Sequence, residues 1–462
     1  MFEAGIYKKR RTKLKEKVDG GLILILGNNE ASSNYPSNTY KFRQDSSFLY
    51  FFGLNLPGFA GVIDTESGEE YLFGNDFDID DIIWMGPQPS VKELGAQVGI
   101  AQTEAFAKLS ETLKEAISKG RKIHFLPPYR YYNMQLLEDL LGIHHSLLKN
   151  YASMELIHAV IALRSVKEAC EIDEITKACN IGYEMHVAAM KNCHSGVKEQ
   201  YIAGIVEGIA ASYGSMVSFP VILSQNGETL HNHDHSKILT HGRLMLTDAG
   251  AENNMTYCSD FTRTVPVDGK FDPRQKDIYN IVLACNQKAI EISRPGITYL
   301  SVHLECCKIL AEGLKNLGLM KGDVSKAVEA GAHALFMPHG LGHMMGLDVH
   351  DMEDLGQIYV GYDAHTRPSS QFGTASLRMG RELQAGFVVT DEPGCYFIPA
   401  LIDQWKQQGL HKEFLNYEKI ETFKDFGGIR IEDDVLITDK GCRLLGDKRI
   451  PVTVEEIENT IC

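Results

Sequence analysis

Acidic side chains interrupt two neighbouring apolar segments in the second half of the chain. Asp248 and Asp260 flank the stretch AGAENNMTYCS, which has turn residues at Asn253-Asn254. A hairpin centred on these asparagines would place the two aspartates opposite each other, with Cβ atoms about 5 Å apart. Two carboxylates so close repel each other unless a cation lies between them. The pair is therefore either half of a metal site or a coincidence of two surface strands.

Three histidines surround a glycine-rich turn in the segment FMPHGLGHMMGLDVHD. His339, His343 and His350 fall there among glycines at positions 340, 342 and 346. Glycine at this density disfavours a regular helix. It also permits the backbone to approach a ligand closely. The pattern favours a binding or catalytic role for these imidazoles over a purely structural one.

Two further segments, FVVTDEPGCYF and FGGIRIEDDVLIT, each carry a glutamate. Glu392 ends an apolar strand, immediately before a Pro-Gly turn signal. Arg430 and Glu432 alternate with isoleucines and so share one face of a strand, a pattern that is also typical of an exposed strand face. Taken together, the segments offer two aspartates, histidines and two glutamates, a donor set that suits Mn²⁺, Co²⁺ or Zn²⁺. Two such ions about 3.5–4 Å apart can polarise a carbonyl group for hydrolysis.

The length of the chain predicts that two domains position these residues, because 462 residues exceed what a single hydrophobic core holds. We expect an α/β domain over 1–160 and an α+β domain over 161–462. In the first domain, LILIL reads as a buried strand, and SSFLYFFGLN reads as an aromatic strand that ends at Gly53. The stretch GFAGVIDTESGEEYLFGN predicts a hairpin with its turn at Ser67-Gly68.

The second domain combines long helices with antiparallel strands. Ser165 and Glu168 form an S-x-x-E pattern that predicts the start of a helix running to about Cys193. Two more helices are predicted over 272–292 and 301–317, and Pro273 suits the start of the first of them. Two polar stretches have the composition of long loops: 353–373 and 399–425.

Bulk properties narrow the classes of partner. The formal net charge of −15 argues against nucleic acid or an anionic membrane surface. The N-terminal sequence lacks the pattern of a targeting segment, and no apolar run is long enough to span a bilayer. The ten cysteines all follow residue 160 and form no C-x-x-C pair. Scattered thiols of this kind predict a reducing, cytoplasmic location.

At the four acidic and imidazole segments the sequence resembles the pita-bread metallopeptidases, the group that includes aminopeptidase P, prolidase and methionine aminopeptidase. The shared motifs are a D-x-G strand with a following D-x-T, HGxGH, TxEPG and G-x-R-x-E-[DE]. YKFRQDSSFLYFFGLNLPGFAGVID and IIWMG resemble the creatinase-type N-terminal domain of aminopeptidase P and prolidase. The resemblance implies an α/β N-terminal domain joined to an α+β pita-bread catalytic domain.

The resemblance also implies a dinuclear centre, usually of manganese, with five ligands: Asp248, Asp260, His343, Glu392 and Glu432. By the same matching, Glu392 is the general base, and three imidazoles bind substrate or stabilise the tetrahedral intermediate: His231, His339 and His350. The chain departs from the family at two points. Its two aspartates lie one residue further apart, and Asp391 stands where the family commonly has a small apolar residue.

The implied activity is hydrolysis of the bond between any residue and proline in small peptides. Arg378, in SLRMGREL with Arg381, resembles the arginine with which prolidases grip the carboxylate of a dipeptide; a solvated loop arginine is the alternative. We expect an Xaa-Pro dipeptidase. An Xaa-Pro aminopeptidase that acts on longer peptides is the first alternative, because FRQDS is frequent in bacterial aminopeptidase P. A non-catalytic peptide-binding member of the fold is the second.

Two further residues complete the expected substrate site, Arg430 beside the metal ligands and Trp84 in the N-terminal domain. Relatives are commonly dimers or tetramers, and in some the N-terminal domain of one subunit reaches the site of another. The resemblance therefore implies a homo-oligomer and gives Trp84 a possible role there.

Overall fold

The structure, a computed structural model, describes residues 1–461, which divide into two compact units. The first unit comprises Met1–Arg164 together with Glu353–Tyr359, and the second comprises Ser165–Met352 and the residues from Val360 onward. The domain bounds expected from the sequence, 160 and 161, stay a prediction, four residues before this division.

A five-stranded mixed sheet forms the centre of the first unit, with strand order β6-β5-β4-β1-β7. A separate two-stranded ribbon pairs β2 with β3. The strands are β1 (Leu22–Leu26), β2 (Ser32–Tyr35), β3 (Asn38–Thr39), β4 (Ala60–Asp64), β5 (Glu70–Gly74), β6 (Gln102–Ala105) and β7 (Ile123–Phe125). The helices are α1 (Ala4–Lys15), α2 (Ser46–Phe52), α3 (Ile79–Met85), α4 (Val91–Gln97), α5 (Lys108–Ser118), α6 (Tyr131–Leu141), α7 (Leu148–Tyr151) and α8 (Met154–Ser165).

Apolar side chains of the central strands pack against α5 and α6. Leu24, Val62 and Phe73 share one buried cluster with Leu113 and Leu137. The predicted LILIL strand and the β4–β5 hairpin are both present in this sheet. The α/β class predicted for this part of the chain follows from helices packed on a sheet.

The aromatic segment SSFLYFF is a helix and not the predicted strand. Asp45 caps α2 by accepting a hydrogen bond from the backbone N–H of Phe48. Gly53 ends the helix in the left-handed conformation, with φ 68°. Every residue of α2 is buried, so no polar position reveals the helical period. A short, continuous apolar run cannot be assigned to helix or strand by periodicity alone.

The second unit contains eight short strands in three antiparallel sheets, with orders β10-β9-β8, β11-β14-β15 and β12-β13. The strands are β8 (Ile222–Ser224), β9 (Leu244–Ala249), β10 (Phe261–Pro266), β11 (Val388–Asp391), β12 (Gly394–Tyr396), β13 (Gly428–Arg430), β14 (Asp433–Ile437) and β15 (Cys442–Leu444). A bridge between Thr262 and Glu432 links the first sheet to the segment between β13 and β14.

Helices from residue 169 onward are α9 (Ala169–Lys191), α10 (Glu199–Ser212), α11 (Pro273–Ile292), α12 (Tyr299–Asn316), α13 (Val324–Ala330), α14 (Gln357–Gly361), α15 (Pro399–Gln408), α16 (Tyr417–Glu421) and α17 (Val454–Ile461). The helices predicted near 272–292 and 301–317 correspond to α11 and α12. None of the helices within residues 1–461 is long and apolar enough to cross a membrane.

Two local predictions for this unit are wrong. Ser165 does not start the long helix, because its hydroxyl accepts a hydrogen bond from Arg381; Glu168 is the N-cap and forms a capping box with Glu171. The stretch 399–425 is not a long loop, since it contains α15 and α16, and the other predicted loop, 353–373, contains α14. The polar composition of 399–425 concealed the buried side chain of Trp405, which anchors α15.

Candidate metal centre

The two aspartates of the first motif are diagonal neighbours and not directly opposite. The strand register pairs Asp248 of β9 with Thr262 of β10, while Asp260 lies immediately before β10. The loop is centred one residue later than predicted, near Met255, because the Asn253 side chain accepts hydrogen bonds from two backbone N–H groups of the loop. Side chains alternate along a strand, so residues 260 and 262 share a face with Asp248. Both aspartates therefore still face the same space.

The glycine-rich segment runs antiparallel along β11. Thr390 donates its backbone N–H to the carbonyl of His343 at 3.0 Å, and Glu392 donates its own to the carbonyl of Leu341 at 2.8 Å. A Cβ atom on Gly342 would lie 2.1 Å from the carbonyl oxygen of Thr390, so the approach requires glycine at this position. The backbone pairing holds His343 and Glu392 side by side.

A backbone contact fixes the tautomer of His343. Its Nδ1 lies 3.0 Å from the carbonyl oxygen of Met344, which can only accept, so Nδ1 carries the hydrogen. The lone pair is then on Nε2, which lies 3.4 Å from Asp260 Oδ2 and 3.7 Å from Glu392 Oε1. Metal-ligating histidines are usually oriented in this way by a hydrogen bond from the other ring nitrogen.

Arg430 and Glu432 are buried, with 3% and 2% of their surfaces exposed, so an exposed strand face is wrong for this segment. The hydroxyl of Thr262 donates to Glu432 Oε2 at 2.6 Å. Arg430 donates from Nη2 to Asp248 Oδ2 at 2.6 Å and from Nε to the Thr262 hydroxyl at 3.0 Å. These bonds attach the β13–β14 segment to β9 and β10 at the point where the carboxylates meet.

Burial and mutual repulsion raise the pKa values of these carboxyl groups. Burial, followed by the charges of Glu432 and Asp248, raises the pKa of Asp260 well above its usual range. Burial and the charges of Glu392 and Asp248 do the same to the pKa of Glu432. Burial raises the pKa of Glu392 to about 7, although the positive charge of Arg430 opposes this shift. The cluster thus concentrates more negative charge than its arginine neutralises.

The donor set fits divalent cations. Oδ1 of Asp248 and Oδ1 of Asp260 are buried and accept no hydrogen bond from any described residue. Ligand atoms of Asp260, His343 and Glu432 all lie within 4.8 Å of one another. Buried carboxylate oxygens without donors are stabilised when they coordinate a metal ion. Carboxylates with one imidazole suit Mn²⁺, Co²⁺ and Zn²⁺.

Two of the predicted substrate imidazoles lie beside this cluster. The ring of His350 packs edge-on against His343, with centroids 4.2 Å apart. His339 is held at both nitrogens, with Nδ1 2.7 Å from the carbonyl oxygen of Gly340 and Nε2 2.9 Å from the hydroxyl of Tyr396. Burial lowers the pKa of His339 to about 3, so this ring is neutral. A substrate contact to His339 would have to replace one of these two bonds.

The other predicted substrate residues differ in position. His231 lies in a turn, and desolvation with the charge of Arg430 lowers its pKa. Arg378 is half-buried, and its positive charge contributes to the lowered pKa values of His231 and His343. Trp84 belongs to the first unit, where it is 86% exposed on α3. The substrate role of Trp84 stays a prediction.

Sequence reasoning missed two residues that organise the site. Thr262 bonds both Arg430 and Glu432, and the D-x-T motif carried the signal, because residues two apart share a strand face. The hydroxyl of Tyr396 accepts from Arg430 Nη1 at 2.7 Å and contacts His339. Tyr396 had no comparable signal, since a tyrosine after a turn is ordinarily part of the core.

Comparisons with known proteins agree with this geometry. Residues 173–439 match metallopeptidase family M24. Residues 7–124 match the family of aminopeptidase P N-terminal domains. The Xaa-Pro dipeptidase of Homo sapiens is 31% identical over 97% of this chain and 90% of its own length.

Solved structures give the same answer for the fold. Aminopeptidase P from Escherichia coli with the inhibitor Pro-Leu is 28% identical, with TM-score 0.81, over 100% of this chain and 98% of that one. Proline aminopeptidase P II from Yersinia pestis is 28% identical, with TM-score 0.81, over 100% and 99%. The expected two-domain architecture is therefore confirmed. With its fold, its acidic site and a match over more than half of its length, the chain belongs to metallopeptidase family M24.

Proposed function

We propose that the protein is a dinuclear-metal exopeptidase that hydrolyses the Xaa-Pro bond of small peptides, with Xaa-Pro dipeptides as preferred substrates. The observation that carries this proposal is the group of four carboxylates and one imidazole, all buried except the partly exposed Glu392, whose negative charge exceeds what Arg430 neutralises. The names of the relatives supply the proline specificity.

The residues that would hold the metal ions are those of the expected ligand set: Asp248, Asp260, His343, Glu392 and Glu432. Mn²⁺ is the ion we propose first, with Co²⁺ and Zn²⁺ as the other ions that suit these donors. When bound, two divalent ions supply Lewis-acid polarisation of a peptide carbonyl and make a water molecule more acidic.

Glu392 is the proposed general base. About 20% of its side chain is exposed, more than that of its neighbour His343, so water can reach the carboxylate. Burial raises its pKa to about 7 in the metal-free protein. Bound cations stabilise the carboxylate and would lower this pKa, so the protein and the metal ions together would set how basic Glu392 is. Glu392 would take the proton of the attacking water and later return it to the departing proline nitrogen.

The imidazoles of His231, His339 and His350 are proposed to hold the substrate and the tetrahedral intermediate. The neutral ring of His339 lies next to Glu392, whose Oε2 is 3.8 Å from Nδ1. Its N–H group is donated to the carbonyl of Gly340, so a contact with the substrate would replace that bond or the one to Tyr396. Arg430 would act beside them, because its bond to Asp248 orients that carboxylate.

Arg378 supports dipeptides as the preferred substrates. A cation that grips a free C-terminal carboxylate must face the site, and the charge of Arg378 acts on His339, His343 and Glu392. Arginine can hold a carboxylate with two parallel hydrogen bonds. The likeness to human Xaa-Pro dipeptidase over nearly the whole chain supports the same choice.

An Xaa-Pro aminopeptidase is the second candidate. It is favoured by the full-length structural match to aminopeptidase P, with TM-score 0.81. An enzyme of this kind accepts peptides that continue beyond proline, and Arg378 would then have no carboxylate to bind. A non-catalytic peptide-binding role is the third candidate, and the complete set of ligand residues argues against it. Such a protein would bind no stoichiometric metal.

The deciding experiment compares kcat/KM of the Mn-loaded protein for an Xaa-Pro dipeptide and an Xaa-Pro-Yaa tripeptide. We expect preference for the dipeptide and loss of that preference in Arg378→Ala. Arg378→Lys should restore only part of it, because lysine keeps the charge without the two-pronged geometry. Arg367→Ala is the matched control, since it removes the same charge from an exposed position eleven residues earlier.

Each result has a defined meaning. Preference for the tripeptide, unchanged in Arg378→Ala, would identify an aminopeptidase. Cleavage of neither peptide, with metal bound, would refute proline specificity. Absence of both bound metal and cleavage would leave only the peptide-binding role.

Assembly and location are also proposed. We propose a homo-oligomer, because relatives are commonly dimers or tetramers and because Trp84 is 86% exposed. Sedimentation would measure the oligomeric state. The cysteines that the structure describes are all free thiols, in keeping with a reducing compartment such as the cytoplasm.

A further inference from the structure

A second cluster of donor atoms in the second unit shares no residue with the carboxylate centre. His303 and Cys307 lie one helical turn apart on α12, so that their side chains are neighbours on one face. His333 lies on the short 3-10 helix Ala332–Leu335. One donor atom from each of the three lies within 4.8 Å of the others.

The second observation concerns the hydrogen bonding of the buried His333 imidazole. All three residues of the cluster are fully buried, with 0% of their surfaces exposed. Neither ring nitrogen of His333 makes a hydrogen bond to any described residue. Buried polar side chains are nearly always hydrogen-bonded, and each exception calls for a ligand or another cause.

The distance between His303 and Cys307 fits an edge of a metal coordination shell. Nε2 of His303 lies 3.5 Å from Sγ of Cys307. Typical Zn–N and Zn–S bonds at a tetrahedral angle place nitrogen and sulfur about 3.6 Å apart. Burial lowers the pKa of His303 to about 3 and that of His333 to about 4, so both rings keep a lone pair at neutral pH.

We propose that His303, Cys307 and His333 form a second metal site, which takes a soft closed-shell cation, Cu⁺ or Zn²⁺. Thiolate and imidazole donors select such ions, whereas the carboxylate centre suits harder ones. Each imidazole supplies the lone pair of one nitrogen and keeps hydrogen on the other. The thiol of Cys307 loses its proton to solvent as the metal–sulfur bond forms.

The surrounding charges distinguish the two ions. The groups that act on the pKa values of the two histidines are imidazoles, among them His339 and His411, and no carboxylate of the described chain is one of them. Cu⁺ with one thiolate leaves the site neutral. Zn²⁺ leaves one positive charge in the interior and ordinarily requires a fourth ligand.

The test uses the full-length protein, stripped of metal under reducing conditions. In one arm Cu⁺ is titrated against the chelator bicinchoninate, and in the other Co²⁺ is added and then displaced by Zn²⁺. We expect one equivalent of Cu⁺, or a thiolate-to-Co²⁺ charge-transfer absorption that Zn²⁺ abolishes. The carboxylate centre also takes Co²⁺ but has no sulfur, so this absorption reports a thiolate ligand, which the variants below assign to Cys307.

Variants assign the signal to the proposed residues. Cys307→Ser and His333→Gln should each weaken binding by at least about 100-fold, the upper end of what outer partners of a metal site cost. Cys306→Ser is the matched control, because this buried thiol on the same helix donates instead to the carbonyl of Cys285 at 3.4 Å. His343→Ala should keep the signal while losing peptidase activity, which separates this site from the proposed function.

Two results would overturn the proposal. One is a wild-type protein that shows neither Cu⁺ retention nor a thiolate-to-Co²⁺ absorption. The other is a signal that persists in Cys307→Ser. The wild-type measurement decides the question even if a variant fails to fold.

Discussion

Glu432 and Asp433 are neighbours in the chain and equally buried, yet their electrostatic surroundings are opposite. Asp433 accepts hydrogen bonds from Arg263 at 2.6 Å and from Arg449 at 2.7 Å. Burial alone would raise its pKa, but these two arginines hold it below the usual value. The Glu432 carboxylate instead accepts from the Thr262 hydroxyl, and burial together with the charges of Glu392 and Asp248 raises its pKa.

The charged neighbours of a buried carboxylate distinguish a structural residue such as Asp433 from a candidate metal ligand such as Glu432. A buried carboxylate with arginine partners is already neutralised, so it contributes to the fold and has nothing to offer a metal ion. A buried carboxylate that faces other carboxylates lowers the stability of the metal-free protein and becomes favourable when a cation arrives. Side-chain type cannot distinguish the two, but their charged neighbours can.

The largest expected effect is on activity. Glu432→Gln keeps the shape of the side chain and an acceptor for Thr262, but removes the charge. We expect the turnover of Xaa-Pro peptides to fall by at least about 100-fold, with loss of bound metal. The metal-free variant should be no less stable than the wild type, because a repulsive charge is gone. Metal analysis and denaturant unfolding measure the two effects, and full activity in this variant would contradict the ligand assignment.

The corresponding substitution at Asp433 should lower the stability of the fold. Asp433→Asn leaves the buried Arg263 without a charged partner, which we expect to cost about 3–5 kcal/mol of unfolding free energy. The folded variant should still bind metal in the wild-type ratio. Denaturant unfolding tests the first statement, and Glu432→Gln is the matched control. If the denaturant midpoint of Asp433→Asn equals that of the wild type, Asp433 is not the structural carboxylate that distinguishes it from Glu432.

The smallest effect is a dependence of metal stabilisation on pH. The pKa of Glu392 in the metal-free fold is about 7, above its ordinary 4.5, so the folded state binds more protons between these values. The metal-free protein therefore gains stability from this group as the pH falls from 7 towards 4.5. Metal must displace that proton, so the rise in Tm on adding Mn²⁺ should be larger at pH 8 than at pH 6. Asp433 contributes no change in this window, because its pKa is low in both states. A larger rise at pH 6 would contradict the assignment.

Motif spacing along the chain predicted which residues come together better than it predicted the local structure. The five candidate ligands converge because strand alternation and the glycine-rich turn follow from short-range rules. The exact register of β9 and β10 did not follow, since the Asn253 side chain moved the centre of the loop by one residue. The burial of Glu432 was likewise unpredictable, because it depends on Thr262 from a distant strand.

Elsewhere the limits of sequence reasoning have the same origin. SSFLYFF has the composition of a strand, but Asp45 caps it as a helix, and complete burial conceals the helical period. The cluster of His303, Cys307 and His333 was not predicted, because helix α12 and the turn after α13 meet only through tertiary packing. Local rules predicted which residues can do chemistry, and long-range packing decides their partners.

The spread of the candidate ligands also has a consequence for biosynthesis. The first candidate ligand is Asp248 and the last is Glu432, on segments joined by the bridge to Thr262 and by the hydrogen bonds of Arg430. A ribosome must therefore translate the chain through residue 432 before the proposed centre can be assembled. If these residues hold the metal ions, metal acquisition must wait until residue 432 has been synthesised, and products released before it would lack the complete set of candidate ligands.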